Sequence, residues 1–339
     1  MLPQTHKADF WRPADEGAVD CFLCAHRCHI PAAGRGVCKV RENRDGTLIS
    51  LVYGRVIANH VDPIEKKPLF HFLPGSRAYS IATVGCNFQC GFCQNWQISQ
   101  WPRSGAGEMP GQPMTPEDVV QEARRAACLS ISYTYTEPTI FYEYARATGV
   151  LAREAGLRNT FVTNGFMTDE VVEDAAGWLD GANVDLKAAT EDFYRTVCKA
   201  RLEPVQASIR RMHALGIHVE VTTLLVPGQN DAPDDLAQIA AFLVSVSPDV
   251  PWHVSRFHPD YQDQGTPPTP VETIEKALAI GRKAGLRFVY AGNIVGMQDT
   301  VCPSCGVTVI ERRGMGVSRT RLRGTHCEAC GAELPIVVE

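Results

Sequence analysis

Long apolar runs are missing from this sequence. None approaches the roughly 18 residues that a membrane-spanning helix requires, and the opening MLPQTHKADFWRP has neither an apolar h-region nor a small-residue cleavage site. The expectation is a cytoplasmic protein with no membrane role. A basic surplus is missing too: the formal net charge is −5, which argues against the positive stripe that nucleic-acid-binding surfaces carry. There is no P-loop and no low-complexity tract, and Gly34-Arg35-Gly36 is too short a match for a nucleotide site.

Cysteine, by contrast, is plentiful, with 13 in a chain of 339 residues. A reducing compartment keeps thiols free, so clustered cysteines there point to metal binding or catalysis rather than to disulfides. All but two fall into three groups. Cys128 and Cys198 stand alone in helical stretches and read as buried packing residues.

Between residues 77 and 298 the chain repeats one pattern: an amphipathic helix, a glycine, then a short β-rich run. LAREAGLRNTFVTN, RMHALGIHVEVTT and GRKAGLRFVYAGN show it, with Gly156, Gly216 and Gly285 where a helix C′ residue needs positive φ. Further strands are predicted at Tyr79–Val84, Ser130–Tyr135, Asn183–Leu186 and Trp252–Arg256, and Thr115-Pro116-Glu117-Asp118 marks a helix start. About seven βα units imply an α/β fold with a parallel sheet and right-handed crossovers, as a partial or complete barrel rather than an open doubly wound sheet. The Gly- and Pro-rich stretch Trp101–Met114 reads as a mobile loop after the first unit. Residues 1–76 and 299–339 lie outside the repeat and look like small Cys-rich, metal-pinned appendages.

The central cysteines form TVG-Cys86-Asn-Phe-Gln-Cys90-Gly-Phe92-Cys93, a C-x3-C-x2-C loop leaving the first strand of the barrel. A cubane normally takes four thiolates, so three leave one iron open to a small molecule, and a barrel places its chemistry at such strand ends. A zinc site completed by a distant residue is the plainer alternative. The motif resembles the signature of radical S-adenosylmethionine (SAM) enzymes. The blocks RVIANHVDPIEKKPLFHFLPGSRAYSIATVGCNFQCGFCQNWQISQ, YTYTEPTIFYEYA, FVTNGF, NVDLKA, VEVTTLLVPGQND and WHVSRFHPDY resemble the AmmeMemoRadiSam system radical enzymes, relatives of pyruvate formate-lyase activating enzymes. That resemblance implies a partial (β/α) barrel of the radical SAM type and a [4Fe–4S] cluster on Cys86, Cys90 and Cys93, the catalytic cysteines. It further implies reductive cleavage of SAM to a 5′-deoxyadenosyl radical that takes hydrogen from an unidentified substrate. An electron donor such as flavodoxin or ferredoxin is implied, as is association with AMMECR- and Memo-type proteins.

The same resemblance offers cofactor contacts at later strand ends. Glu137, in Thr136-Glu137-Pro138, would accept a hydrogen bond from the SAM ammonium, or it opens a helix at Pro138. Thr136 stands where the family carries glycine. Asn164, in Thr163-Asn164-Gly165, would meet the ribose or carboxylate, or it simply makes a turn; Val162 replaces the family's Asp. Lys187 would reach the SAM carboxylate, with Asp185 on the same face, unless the pair is structural. His258 aligns with a ribose- or adenine-contacting histidine, and Phe92 is a candidate to stack on adenine or a core aromatic. The Lys66-Lys67 pair and Arg77 read as a solvated basic face, with contact to an anionic substrate as the alternative.

At the C-terminus, Cys302-x2-Cys305 and Cys327-x2-Cys330, each pair followed by Gly, form a zinc-ribbon pattern with a closed, structural role. At the N-terminus, Cys21-x2-Cys24-x3-Cys28-x9-Cys38 is compatible with zinc or with a second iron–sulfur cluster. His26 and His29 are near enough to substitute as ligands, and a redox dithiol of Cys21 and Cys24 is a further reading. Two other functions stay open beside hydrogen abstraction from a small molecule: installing a glycyl radical on a partner protein, and a zinc-ribbon binding module.

Overall fold

The computed structural model describes residues 6–105, 107–294, 296 and 298–338. One sheet of eight strands organises it. In spatial order these are β1 (Ala58–Pro63), β2 (Arg77–Ala82), β3 (Ser130–Tyr133), β4 (Arg158–Thr163), β5 (Gly181–Asp185), β6 (His218–Leu225), β7 (Trp252–Arg256) and β8 (Val289–Gly292). Only β1 pairs antiparallel with its neighbour; β2 to β8 are parallel. Each strand lies beside its predecessor in the chain, and the first and last stay unpaired to each other. A single winding direction of this kind builds a barrel wall that stops short of closure.

The helices between are α1 (Pro116–Arg125), α2 (Tyr142–Glu154), α3 (Asp169–Ala175), α4 (Leu202–Ala214), α5 (Pro233–Val246) and α6 (Val271–Ala284). Their signals are local. Thr115 accepts from the Asp118 amide while the Asp118 carboxylate accepts from the Thr115 amide, a complete capping box with Pro116 in the first turn. Gly156, Gly216 and Gly285 all have positive φ, as their positions after α2, α4 and α6 require. Trp252–Arg256 runs as read from the sequence, whereas the other strands start or stop up to two residues away from the expected bounds. None of the described helices is long and apolar enough to cross a membrane.

Ahead of the barrel lie two small three-stranded antiparallel sheets, built from His6–Lys7, Arg41–Arg44 and Thr47–Ser50, and from Trp11–Pro13, Val19–Cys21 and His29–Ile30. The buried Arg41 fastens them to α2 through an ion pair with Glu143 (2.8 Å). After the barrel, Thr300–Val301, Thr308–Arg313 and Gly316–Thr320 form a further sheet. Its core (Cys302, Val309, Ile310, Cys327, Leu334, Ile336) packs on Phe70, Phe288 and Tyr290.

The reading of Trp101–Met114 as a loose loop needs correction. Gln112–Pro113 pairs with Arg55–Val56, Arg55 donates to the Met109 carbonyl (3.2 Å), and Arg103 donates to the carbonyls of Val37 (2.8 Å) and Cys86 (3.0 Å). The segment is tied down at both ends; Ala106 within it lies outside the described residues.

Inside the barrel, Glu220 of β6 is fully buried and accepts four hydrogen bonds, from the amides of Phe70 (3.0 Å) and His71 (2.7 Å) and from the rings of His218 (3.0 Å) and His253 (2.6 Å). Burial works against its charge, but the two histidines outweigh it and hold the carboxyl well below the usual range. Glu220→Gln should cost about 3 kcal/mol near neutral pH, since it removes one charged member of a buried network. The charged Glu220 stabilises fully above its unfolded value of about 4.3, and that contribution fades as pH falls through its lower folded value. Urea midpoints of the two proteins should therefore converge on acidification; a constant gap would refute the assignment.

Candidate active site

The C-terminal strand ends surround a cavity of about 510 Å³. Cys86, Cys90, Cys93, Phe92, Thr136, Glu137, Asn164, Asp185 and Lys187 all line it. The fold thus gathers, from four successive strand ends, every cofactor-site candidate but one. His258 is the exception. It is exposed and outside the cavity wall, its Nε2 2.9 Å from the side-chain nitrogen of Gln94, which does line the cavity.

The cysteine loop leaves β2 and is held by its own sulfurs and neighbours. The Phe88 amide donates to Cys86 Sγ (3.3 Å), and Cys93 Sγ lies 3.3 Å from Ser99 Oγ. Burial pushes the Cys86 thiol well above its ordinary value, aided by the Glu137 charge, and raises Cys93 as well. Cys90 moves the other way, because a hydrogen bond from Cys198 favours its thiolate and the Lys187 ammonium adds to the effect. Cys198, read from sequence as an isolated packing residue, is buried as expected but stands beside Cys90. It ends a π-helical turn, Tyr194–Cys198, of the kind often found at functional sites. Its spacing from the triplet carried no signal. Cys128 keeps its packing role in the core.

Glu137 organises this wall. Its Oε1 accepts from the Thr139 amide (3.0 Å) and from the hydroxyls of Thr139 and Thr163 (both 2.6 Å), while Oε2 accepts from the Asn164 amide (2.8 Å). It caps the turn Pro138–Phe141 and ties the β3 end to the β4 end, so the helix-opening role is present. Burial raises its pKa against these donors. Asn164 Nδ2 donates to Asn87 Oδ1 (2.7 Å) and lies 4.0 Å from Cys86 Sγ. The Thr136 hydroxyl donates to the Thr83 carbonyl (2.8 Å).

Across the cavity, Lys187 Nζ sits 2.9 Å from Asp185 Oδ2 and 5.9 Å from the Phe92 ring centre. Burial disfavours the ammonium, yet Asp185, Cys90 and Cys198 outweigh it and raise the Lys187 pKa well above the lysine norm. Phe92 packs tilted against Phe193, with centroids 6.1 Å apart. The Thr222 hydroxyl, in the same wall, is buried and has no protein partner.

Wall residues outside the candidate set include Lys66, Lys67, Tyr135 and Asn293. Of the pair read as a solvated face, Lys66 is exposed as expected whereas Lys67 is buried; both line the cavity, and both ammonium groups contact Asp62 (2.8 and 2.7 Å). Lys67 is almost wholly buried and 4.4 Å from the Tyr135 ring, and burial pushes its pKa down to about 8 despite Asp62. Tyr135, in the left-handed region at φ 63°, donates to the same carboxylate. Asn293, after β8, completes the set.

The terminal cysteine groups differ in geometry. Cys302, Cys305, Cys327 and Cys330 place all four sulfurs within 4.8 Å of one another, with contacts of 3.7 Å (Cys302 to Cys330) and 3.8 Å (Cys305 to Cys327). A tetrahedron with metal–sulfur bonds of about 2.3 Å has edges of about 3.8 Å, so the donor set fits one ion. Cys21, Cys24, Cys28 and Cys38 form a buried to half-buried group. His26 and His29 do not join it: His26 Nε2 is 2.9 Å from the Asn87 carbonyl, and exposed His29 faces Asp20 (2.9 Å).

Residues 80–243 match the Radical SAM superfamily. Over 337 residues, 98% of this chain and 99% of the relative, the sequence is 44% identical to Uncharacterized protein MJ0808 of Methanocaldococcus jannaschii. Uncharacterized protein MJ0674 of the same organism is 24% identical over 285 residues, covering 80% of this chain and 77% of that one. Among solved structures, SuiB of Streptococcus suis bound to S-adenosylmethionine superposes with a TM-score of 0.50 at 12% identity, over 68% of this chain and 53% of that one, a likeness of fold alone. The cysteine loop that opens the barrel lies within the matched segment, and the chain belongs to the radical SAM superfamily.

Proposed function

We propose that the cavity binds SAM beside a [4Fe–4S] cluster held by Cys86, Cys90 and Cys93, and that the enzyme abstracts a hydrogen atom from a substrate seated next to them. The observation that carries this reading is the meeting of the three-cysteine loop with a half-buried Asp185–Lys187 pair around one cavity. The residues suit such a tenant. Three thiols come from one loop, a half-buried ammonium lines the same cavity, and the Thr222 hydroxyl in that wall lacks a partner among the described residues. When bound, the reduced cluster supplies the electron that breaks the C5′–S bond of SAM and releases the 5′-deoxyadenosyl radical.

The chain's own groups bind and orient. Lys187 offers a carboxylate-directed donor anchored by Asp185, and Asn164 presents its amide next to Cys86. Oε2 of Glu137 accepts from one amide and keeps a lone pair for an ammonium. Thr136 spends its hydroxyl on the backbone, so it shapes the wall rather than donating to a ligand. Phe92, with Phe88, Val162 and Leu224 of the same wall, limits water at its apolar part. An external donor of the flavodoxin or ferredoxin kind provides the electron, and the place within the AmmeMemoRadiSam system, alongside AMMECR- and Memo-type proteins, rests on the sequence blocks quoted above.

Oxygen-free reconstituted protein should convert SAM to 5′-deoxyadenosine on reduction with dithionite. In Lys187→Met the KM for SAM should rise roughly 10- to 100-fold, the worth of a charge-assisted hydrogen bond, with the cluster's visible absorption retained. Cluster-loaded wild-type protein that leaves SAM intact would overturn the proposal.

A further inference from the structure

The N-terminal cysteines have the wrong spread for a single ion. Among the described residues, no group of three or more Cys, His, Asp or Glu other than the C-terminal four closes to within 4.8 Å. One tetrahedral ion would draw its sulfurs to edges of about 3.8 Å. A cubane holds each thiolate at a separate iron, so its ligand sulfurs stand further apart. Cys86, Cys90 and Cys93 likewise do not close to within that distance.

The N-terminal cysteines are nevertheless drawn together: the Cys21 amide donates to the Cys28 carbonyl (2.9 Å). A Cβ built on Gly36 would lie 3.7 Å from Cys28 Sγ and 3.9 Å from Cys38 Sγ, so these sulfurs flank a space floored by bare backbone.

This group is also stitched to the central loop. Cys38 and Gly85 approach so closely that a Cβ on Gly85 would meet the Cys38 carbonyl at 3.5 Å and Val40 Cγ1 at 2.7 Å, and Gly85 immediately precedes Cys86. Arg103 bridges the Val37 and Cys86 carbonyls (2.8 and 3.0 Å), and His26, between Cys24 and Cys28, reaches the Asn87 carbonyl (2.9 Å). Each contact joins a residue at or beside one cysteine group to one at or beside the other.

We propose that Cys21, Cys24, Cys28 and Cys38 hold a second [4Fe–4S] cluster, which relays single electrons to the cluster on Cys86, Cys90 and Cys93. An external one-electron donor of the ferredoxin class reduces the N-terminal cluster. That cluster returns to its oxidised state as the electron moves inward, one electron for each SAM cleaved. The relay rests on the function proposed above; the second cluster does not.

Anaerobic reconstitution followed by iron, sulfide and zinc analysis tests it. The full-length protein should hold about eight iron atoms, four for each cubane. The Cys86→Ala/Cys90→Ala/Cys93→Ala protein, whose N-terminal ligands are untouched, should keep about four, with a cubane EPR signal on reduction. Cys24→Ala/Cys38→Ala should also keep about four. Doubly reduced wild type should show magnetically broadened signals that simplify in either variant. In Cys24→Ala/Cys38→Ala, ferredoxin-driven formation of 5′-deoxyadenosine should fall relative to dithionite-driven formation. Iron-free central-triplet protein with zinc at its N-terminal cysteines would overturn the second cluster. If wild type in that case still cleaved SAM, the enzymatic reading would stand alone. Eight-iron wild type that left SAM intact would instead sink the enzymatic reading and spare the second cluster.

Discussion

Replacing Cys90 with alanine is expected to abolish SAM cleavage in a protein that still folds. The fall in 5′-deoxyadenosine formation should be about a thousandfold or more, equivalent to at least about 4 kcal/mol of barrier. Cys90 is buried and its thiolate is favoured by Cys198 and Lys187, so it is the best-prepared ligand of the three. Its loss leaves two thiolates for a group that needs three from this loop. Chromatography of the nucleoside product, alongside visible and EPR spectra, reads the outcome. Cys128→Ala is the control for thiol loss, since Cys128 packs in the core away from the cavity. Full turnover in Cys90→Ala would mean that the cluster sits elsewhere or that Cys198 can replace the missing ligand, a possibility separated by the Cys90→Ala/Cys198→Ala protein.

The second large effect is expected from the C-terminal tail. Cys302→Ala should release the metal bound there and lower stability by roughly 3–5 kcal/mol, since metal loss is among the few changes that reach such values. An isolated zinc finger draws an apparent 10–16 kcal/mol from its ion. The cost here is smaller because Val309, Ile310, Leu334 and Ile336 also pack on Phe70, Phe288 and Tyr290. Calorimetry should show melting lowered by about 10 °C or more, and limited proteolysis should cut first within residues 299–338. The barrel and its SAM cleavage should survive at temperatures where the variant remains folded. Lost cleavage in a folded Cys302→Ala barrel would refute a purely structural tail.

Much of this site was legible before any coordinates. The C-x3-C-x2-C loop, the paired C-x2-C knuckles and the glycines after α2, α4 and α6 are local signals, each spanning a few residues whose chemistry constrains the backbone on the spot. The alternation of helix and strand then placed Glu137, Asn164 and Lys187 at strand ends facing one cavity. His258 lies outside the wall because a residue two positions beyond a strand end can turn either way. Lys66 and Lys67 looked like a surface pair because two adjacent lysines carry no trace of the Asp62 and Tyr135 that bury one of them.

The sequence by itself determined the punctuation of the barrel and the three cysteine groups, because short spacings and helix caps are set by neighbours along the chain. Only the tertiary structure decided that Cys198 stands beside Cys90, that Arg103 ties the N-terminal cysteines to Cys86, and that the N-terminal and C-terminal sets differ in spread. Those facts join residues up to 108 positions apart, as Cys90 and Cys198 show. Contact at that separation follows from how the strands stack and the helices pack back on them, a cooperative outcome of the whole core that no local pattern encodes.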